Sequence, residues 1–417
     1  MRVRVFSRAH LLQEFRLCCQ SLAAKDNSGF RQKFEELNDV GKEFTTRAGE
    51  LEANREKNRY PYILPYDHSR VRLSLLDSQL HSDYINASYV PVSTLCLSVA
   101  VCLSVYPFIK SAVCLSAPQG GCTERDFICT QGPLRSTMAD FWRMVWEQNV
   151  RIIVMVTALT QKDMVLCDEY WPMAQGTVSY GVVQVTTVSR KRGPDYFITT
   201  IHLRQRGFPV ERTVTHYYYP AWPDQGVPKD LSSLCAFTEH VRQHLGTLPL
   251  LGPAVVHCSA GVGRSGTFVA LLWLMQLCVR GIRPDVRAAV EDLRRHRVMM
   301  VQNLEQYILV HQCLMHWLSG GSVGPLVSSV QIQAGPAHVD RGQDHPLTSS
   351  GRSGRGNRSS GGNRSSGRHR QHQEQHTQHP VQTQPQTQSS SQQLFNPRNL
   401  LRRLLPSFMH INPQTHT

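Results

Sequence analysis

Cys258 and Arg264 are separated by five small residues, Ser259-Ala260-Gly261-Val262-Gly263, and followed by Ser265-Gly266. Ahead of them Val255-Val256-His257 continues an apolar run suited to a buried strand, and behind them Phe268-Val269-Ala270-Leu271-Leu272 reads as a buried helix. A strand, a tight loop and a helix start leave successive backbone N–H groups pointing into one hollow. The helix N-terminus adds partial positive charge, so the hollow prefers an anion and a phosphate fits it. Cys258 stands at the first turn of that hollow, where the loop dipoles and Arg264 favour the thiolate, a nucleophile near neutral pH. The planar fork of Arg264 can hold two phosphate oxygens while charge spreads over the equatorial oxygens in transfer. Ser265 can donate a hydrogen bond to the departing thiolate. A cysteine by itself is most often structural; this loop around it points to phosphate-ester chemistry.

A phosphate ester also needs a proton on its leaving oxygen. The segment Tyr219-Pro220-Ala221-Trp222-Pro223-Asp224-Gln225-Gly226-Val227-Pro228 places one acid in a stretch rich in Pro and Gly, which makes a mobile but shape-limited flap. Asp224 is the expected general acid. Read alone, Trp-Pro-Asp is more often a plain turn; with the cysteine loop downstream, the chemical reading wins.

The run His257-Cys258-Ser259-Ala260-Gly261-Val262-Gly263-Arg264-Ser265-Gly266 resembles the signature loop of the cysteine-dependent protein tyrosine phosphatases, and its flanks resemble the catalytic domain of receptor-type members, from about Phe34 to Leu318. The resemblance implies hydrolysis of protein phosphotyrosine through a cysteinyl-phosphate intermediate, with no cofactor and no metal. It implies that Tyr60, in Lys57-Asn58-Arg59-Tyr60, stacks on the substrate ring and sets a pocket too deep for phosphoserine. It assigns substrate binding to Ser259, Ala260, Gly261, Val262, Gly263 and Arg264. Val298 to Tyr307 matches the family's glutamine loop, which implies that Gln302, assisted by Gln306, orients the water that releases phosphate. His257 is expected to fix the loop by hydrogen bonding. Tyr62 stands where many relatives carry Asp or Asn to bind the peptide backbone, and Asn303 where many carry Thr.

The fold class implied is α/β, a single phosphatase domain with a highly twisted mixed central sheet flanked by helices. Residues 7 to 52 read as helical packing surface. Asp83 to Tyr89 reads as a strand and Phe127 to Pro133 as its partner followed by a turn, and Val178 to Val188, Tyr196 to Arg204 and Val210 to Tyr218 read as successive antiparallel strands. Arg151 to Val156 is a buried strand. Leu231 to Leu245 is an amphipathic helix with Leu234, Phe237, Val241 and Leu245 inward, and Pro284-Asp285 opens another helix to about Arg295.

The expected division is a helical flank over 1–33, the catalytic domain over 34–318 and a disordered low-complexity tail over 319–417. Within the domain, residues 92–119 are an atypical insertion in which Thr94 to Ile109 carries no charge. A membrane helix there would have to leave and re-enter one sheet, and it holds Pro107, so the segment is expected to lie outside the working domain, for instance as translated intron. Peptide mass spectrometry that recovered it from the native protein would refute this.

The 417 residues carry a formal net charge of +14, and ten arginines against three acidic residues beyond Leu318 supply about half of it. Acidic phosphotyrosine proteins suit this balance as partners. No nucleic-acid motif accompanies the charge, and no membrane span is expected in this chain. Twelve cysteines without framework spacing, with no signal pattern ahead of them, suggest a cytoplasmic chain, or the cytoplasmic side of a membrane if it belongs to a longer receptor. Two rivals remain: a pseudophosphatase that binds phosphotyrosine without turnover, and a dual-specificity or lipid phosphatase, which usually lacks the Lys-Asn-Arg-Tyr loop.

Overall fold

The computed structural model describes residues 5–77, 79–92, 127–224, 226–228, 230–247 and 252–320. The expected insertion, apart from Val92, and all but the first two residues of the expected tail lie outside the described residues.

Strands β1 (Arg70–Arg72), β2 (Tyr84–Val90), β3 (Phe127–Thr130), β4 (Ile152–Met155), β7 (Gly176–Tyr180), β8 (Val183–Arg192), β9 (Phe197–Gln205), β10 (Glu211–Tyr218) and β11 (Ala254–His257) form one nine-stranded sheet. A separate two-stranded ribbon pairs β5 (Thr160–Gln161) with β6 (Met164–Val165). The sheet order is β1-β2-β3-β11-β4-β10-β9-β8-β7. Its centre is parallel, with β11 between β3 and β4 and β4 beside β10, while the flanking pairs are antiparallel. Parallel strands are covered on both faces and read as continuous apolar runs, which is why Ile152–Met155 and Ala254–His257 show no alternation.

The helices are α1 (Arg8–Glu35), α2 (Arg47–Glu50), α3 (Glu52–Arg55), α4 (Met138–Glu147), α5 (Leu231–Thr247), α6 (Gly263–Val279), α7 (Val286–His296) and α8 (Leu304–Leu318). Val256 and Val154 face the larger core, to which α1, α5, α6, α7 and α8 contribute Phe15, Phe237, Leu271, Val290 and Leu314. Val255 and Ile153 point the other way, against Phe141, Trp142 and Val145 of α4. A fully buried side chain of this size stabilises by about 1.5–3 kcal/mol, so both faces hold the central strands in place.

Three readings of the sequence change in detail. The helical stretch expected over 7–52 ends at Glu35, bends within itself at Ala24–Asn27, and continues as i to i+3 turns before α2. The strand expected over Val178–Val188 is two strands, because Gly181, at φ +60°, turns β7 into β8. Leu245 is half-buried at the margin of the core, while Leu234, Phe237 and Val241 are inside as expected. The expected boundary at residue 33 falls inside α1, whose Leu11, Phe15 and Phe30 enter the same core as α8. Val90 pairs with Phe127, so β2 and β3 keep their register at the point where the chain between them departs.

Candidate active site

β11 delivers the chain to Cys258 at the carboxyl edge of the parallel strands, and α6 begins at Gly263. Between them Gly261 takes φ +73°, and a Cβ there would collide with the Thr130 carbonyl. Only glycine satisfies both demands. The Gly261 N–H donates to the Cys258 sulfur at 3.2 Å. Burial by itself raises the pKa of this thiol, but Arg264, the Ser265 hydroxyl and the N–H groups of Ser265 and Gly261 outweigh it and lower the pKa from 9.0. The Ser265 hydroxyl is buried and has no hydrogen-bond partner of ordinary geometry among the described residues.

Several groups clamp the loop from outside. Arg297, fully buried, donates from Nε to the Gly261 carbonyl at 2.9 Å and from its terminal nitrogens to Ala260 O, Asn86 Oδ1 and Ser88 Oγ. Gly132 N–H donates to Ser259 O at 2.9 Å. His257 is buried, its value pushed down to about 4 by desolvation, and its Nε2 meets the Tyr170 hydroxyl at 2.7 Å. The same hydroxyl meets His216 Nε2 at 2.7 Å, so the His257 ring is anchored away from the sulfur.

Arg264 is 3% exposed, and one of its terminal nitrogens forms an ion pair with Asp224 Oδ1 at 2.7 Å. The other donates to Trp222 O at 3.2 Å, Trp222 Nε1 donates to Gly226 O, and Asp224 N–H donates to Gln161 Oε1. The flap is thus folded over the cysteine loop with its acid on the arginine that a phosphate would need.

Tyr60 reaches the loop as well, its hydroxyl 2.8 Å from Ser259 Oγ. The residues before it are structural. Asn58 Oδ1 accepts from Tyr84 and Asn86, and Arg59 pairs with Asp168 at 2.7 Å while its N–H donates to Gln131 Oε1. Gln302 and Gln306 lie against the helix start. A Cβ on Gly263 would sit 2.9 Å from Gln302 Oε1 and 3.0 Å from both amide atoms of Gln306. Gln306 Oε1 accepts the Gln302 N–H at 2.9 Å, and Asn303 caps α8 by accepting from Gln306 N. Tyr62 is 64% exposed.

All of the expected residues therefore converge on one cup: Cys258 to Ser265 form it, Asp224 covers it, and Tyr60, Gln302 and Gln306 line its mouth. Sequence reasoning missed Arg297, Tyr170 and Gln161. Arg297 follows Arg294-Arg295-His296 and carries no local sign that distinguishes a buried arginine from a basic helix end.

A model of the family described as Protein-tyrosine phosphatase matches residues 54–316. The chain belongs to this family. Receptor-type tyrosine-protein phosphatase V of Rattus norvegicus is 38% identical over 310 residues, 74% of this chain and 16% of the relative. Receptor-type tyrosine-protein phosphatase F of Rattus norvegicus is 37% identical over 297 residues, 71% of this chain and 14% of the relative. Receptor-type tyrosine-protein phosphatase eta of Gallus gallus is 38% identical over 292 residues, covering 70% and 19%. The chain thus spans less than a fifth of these relatives' length. The expected receptor-type phosphatase catalytic domain and its α/β fold are both borne out.

Proposed function

We propose that this tyrosine phosphatase domain hydrolyses phosphotyrosine in proteins in two steps. An incoming phosphate dianion replaces the Asp224 carboxylate on Arg264, and the released carboxylate takes a proton from solvent and closes over the leaving oxygen as the acid. The Cys258 thiolate then attacks phosphorus, the S–P bond forms as the P–O bond to tyrosine breaks, and Asp224 gives its proton to the phenolic oxygen. Arg264 and the loop N–H groups hold the three equatorial oxygens. In the second step a water oriented by Gln302, with Gln306 beside it, loses a proton to Asp224 and attacks phosphorus. Phosphate leaves, and Ser265 stabilises the thiolate that returns.

The observation that carries this reading is the lowered pKa of a buried thiol beside Arg264, which in turn holds the flap's only acid, Asp224, at 2.7 Å. Tyr60 on Ser259 favours a flat phenolic ester over a short aliphatic one. The rival reading, phosphotyrosine binding without turnover, depends on disruption of the sheet by the insertion; the β2–β3 register and the seated Tyr60 speak against it. We read the working unit as continuous from α1 to α8, since α1 shares their core. We place it in the cytoplasm or on the cytoplasmic side of a membrane, supported by the free thiols of the eight described cysteines.

The test is turnover of a phosphotyrosine peptide by the full chain, by a form lacking residues 92–119, and by Cys258→Ser. Wild-type activity that Cys258→Ser abolishes, with phosphoproteins retained from a lysate by the variant, is the expected result. Binding without turnover by both longer and shorter forms would establish the rival.

A further inference from the structure

A groove of 460 Å³ lies beside the Tyr60 segment, outside the catalytic cup. One wall is the segment that directly follows Tyr60, namely Pro61, Tyr62 and Leu64; the other includes Val298, next to Arg297. Tyr60 touches the cysteine loop through Ser259, and its neighbours Asn58, Pro61 and Tyr62 line the groove, so the groove begins next to the residue at the rim of the cup. One residue, Pro61, separates Tyr60 from Tyr62, so two peptide steps give a reach of at most about 7 Å. A peptide held by its phosphotyrosine in the cup therefore passes this groove within about three residues on one side.

The groove's apolar surface comes from Tyr62, Leu64 and Val298, and its rim from Glu50 and Glu52 with Arg55 as the one lining cation. Arg55 is already occupied by Glu52 at 3.6 Å. Glu50 accepts from the Thr46 hydroxyl at 2.6 Å and forms no ion pair among the described residues. Lys57, close in sequence, turns away to donate to His81 O at 2.6 Å. The rim is left with one uncompensated negative charge above an aliphatic and aromatic floor.

We propose that this groove selects substrates with an arginine or lysine within three residues of the phosphotyrosine, the aliphatic stem lying along Tyr62 and Val298 and the cation on Glu50. Long basic side chains place an apolar stem and a charged head in this way. The inference rests on the phosphotyrosine reading above and adds a sequence preference to it. It runs against the chain's net charge of +14, which alone would favour acidic peptides.

The test compares phosphotyrosine peptides that carry Arg, Ala or Glu at each of the three positions on either side. Wild-type kcat/KM is expected to favour Arg over Glu by about five- to tenfold at one position or more, a range set by exposed ion pairs of opposite and like sign. The preference shrinks with added salt. Combined Glu50→Gln and Glu52→Gln turns the net rim charge from −1 to +1, because Arg55 loses its partner, and levels or inverts the ratio; Arg55→Gln increases it. Hydrolysis of p-nitrophenyl phosphate, which does not reach the groove, stays within about twofold in every variant and shows that each is folded. A wild-type ratio near one, a preference for Glu, or a ratio untouched by the double variant overturns the proposal. The same ratios read as peptide affinity for Cys258→Ser decide the groove even if turnover fails, a failure that would count against the catalytic reading alone.

Discussion

At Cys258 two effects of opposite sign compete. Desolvation favours the neutral thiol, and the charge of Arg264 with three hydrogen bonds favours the thiolate; the second set wins. The thiolate therefore persists below the pH at which an ordinary cysteine is protonated. The rate of inactivation by iodoacetate, followed against pH, is expected to show its midpoint below 9.0, and Arg264→Ala is expected to move that midpoint up. An unshifted midpoint in the wild type would contradict the site. In the proposed mechanism Asp224 has to yield Arg264 to phosphate, giving up a 2.7 Å ion pair. Asp224→Asn should accordingly lower kcat by about 10²- to 10⁴-fold, the worth of a general acid, while phosphopeptide affinity rises or holds. Calorimetric titration that found weaker binding would mean that the carboxylate does not have to be displaced.

The elements matter through the places where they meet the loop. α7 ends at His296, and the next residue, Arg297, stitches the loop to β2 through Asn86 and Ser88. Four acceptors depend on it, in a site without solvent. Arg297→Lys has one nitrogen to offer in place of three, so buried carbonyls lose partners at about 1–3 kcal/mol each. Both the urea midpoint and kcat/KM are expected to fall, and a stable protein of full activity would show that the clamp is dispensable. α8 contributes differently. Its cap at Asn303 orients Gln306, and Gln306 holds the backbone of Gln302, so the Thr expected there by resemblance is replaced without losing the helix start.

The whole molecule keeps neutral histidines in its interior. His257 and His311 are both pushed down to about 4 by burial, against 6.5 when exposed, and burial also lowers His216 well below 6.5. Between pH 6.5 and 4 the unfolded chain binds protons that the folded chain refuses, so stability rises with pH through that window and is lost on acidification. Each histidine contributes about 1.4 kcal/mol per pH unit there, or about 2 kcal/mol between pH 6.5 and 5. Urea unfolding at pH 7, 6 and 5 checks the slope. His311→Leu, in a site flanked by Phe15 and Phe30, is expected to flatten it by the share of one group. On the same scale lies the division between what could be read from the chain and what could not. Cys258, Arg264, Asp224, Tyr60 and Gln302 were legible because each belongs to a short segment whose chemistry is local: a loop of N–H groups, a proline-framed acid, an aromatic after Asn-Arg. The parallel core strands were legible as continuous apolar runs. Arg297, Tyr170, the Asp224–Arg264 ion pair and the charged rim at Glu50 were not, since each acquires its role from a partner far away in sequence or from burial that no neighbouring residue announces. Residue type determines what a group can do, whereas desolvation and the approach of distant segments decide whether it is a surface charge or a buried clamp, because both depend on packing that only the folded sheet and its helices supply.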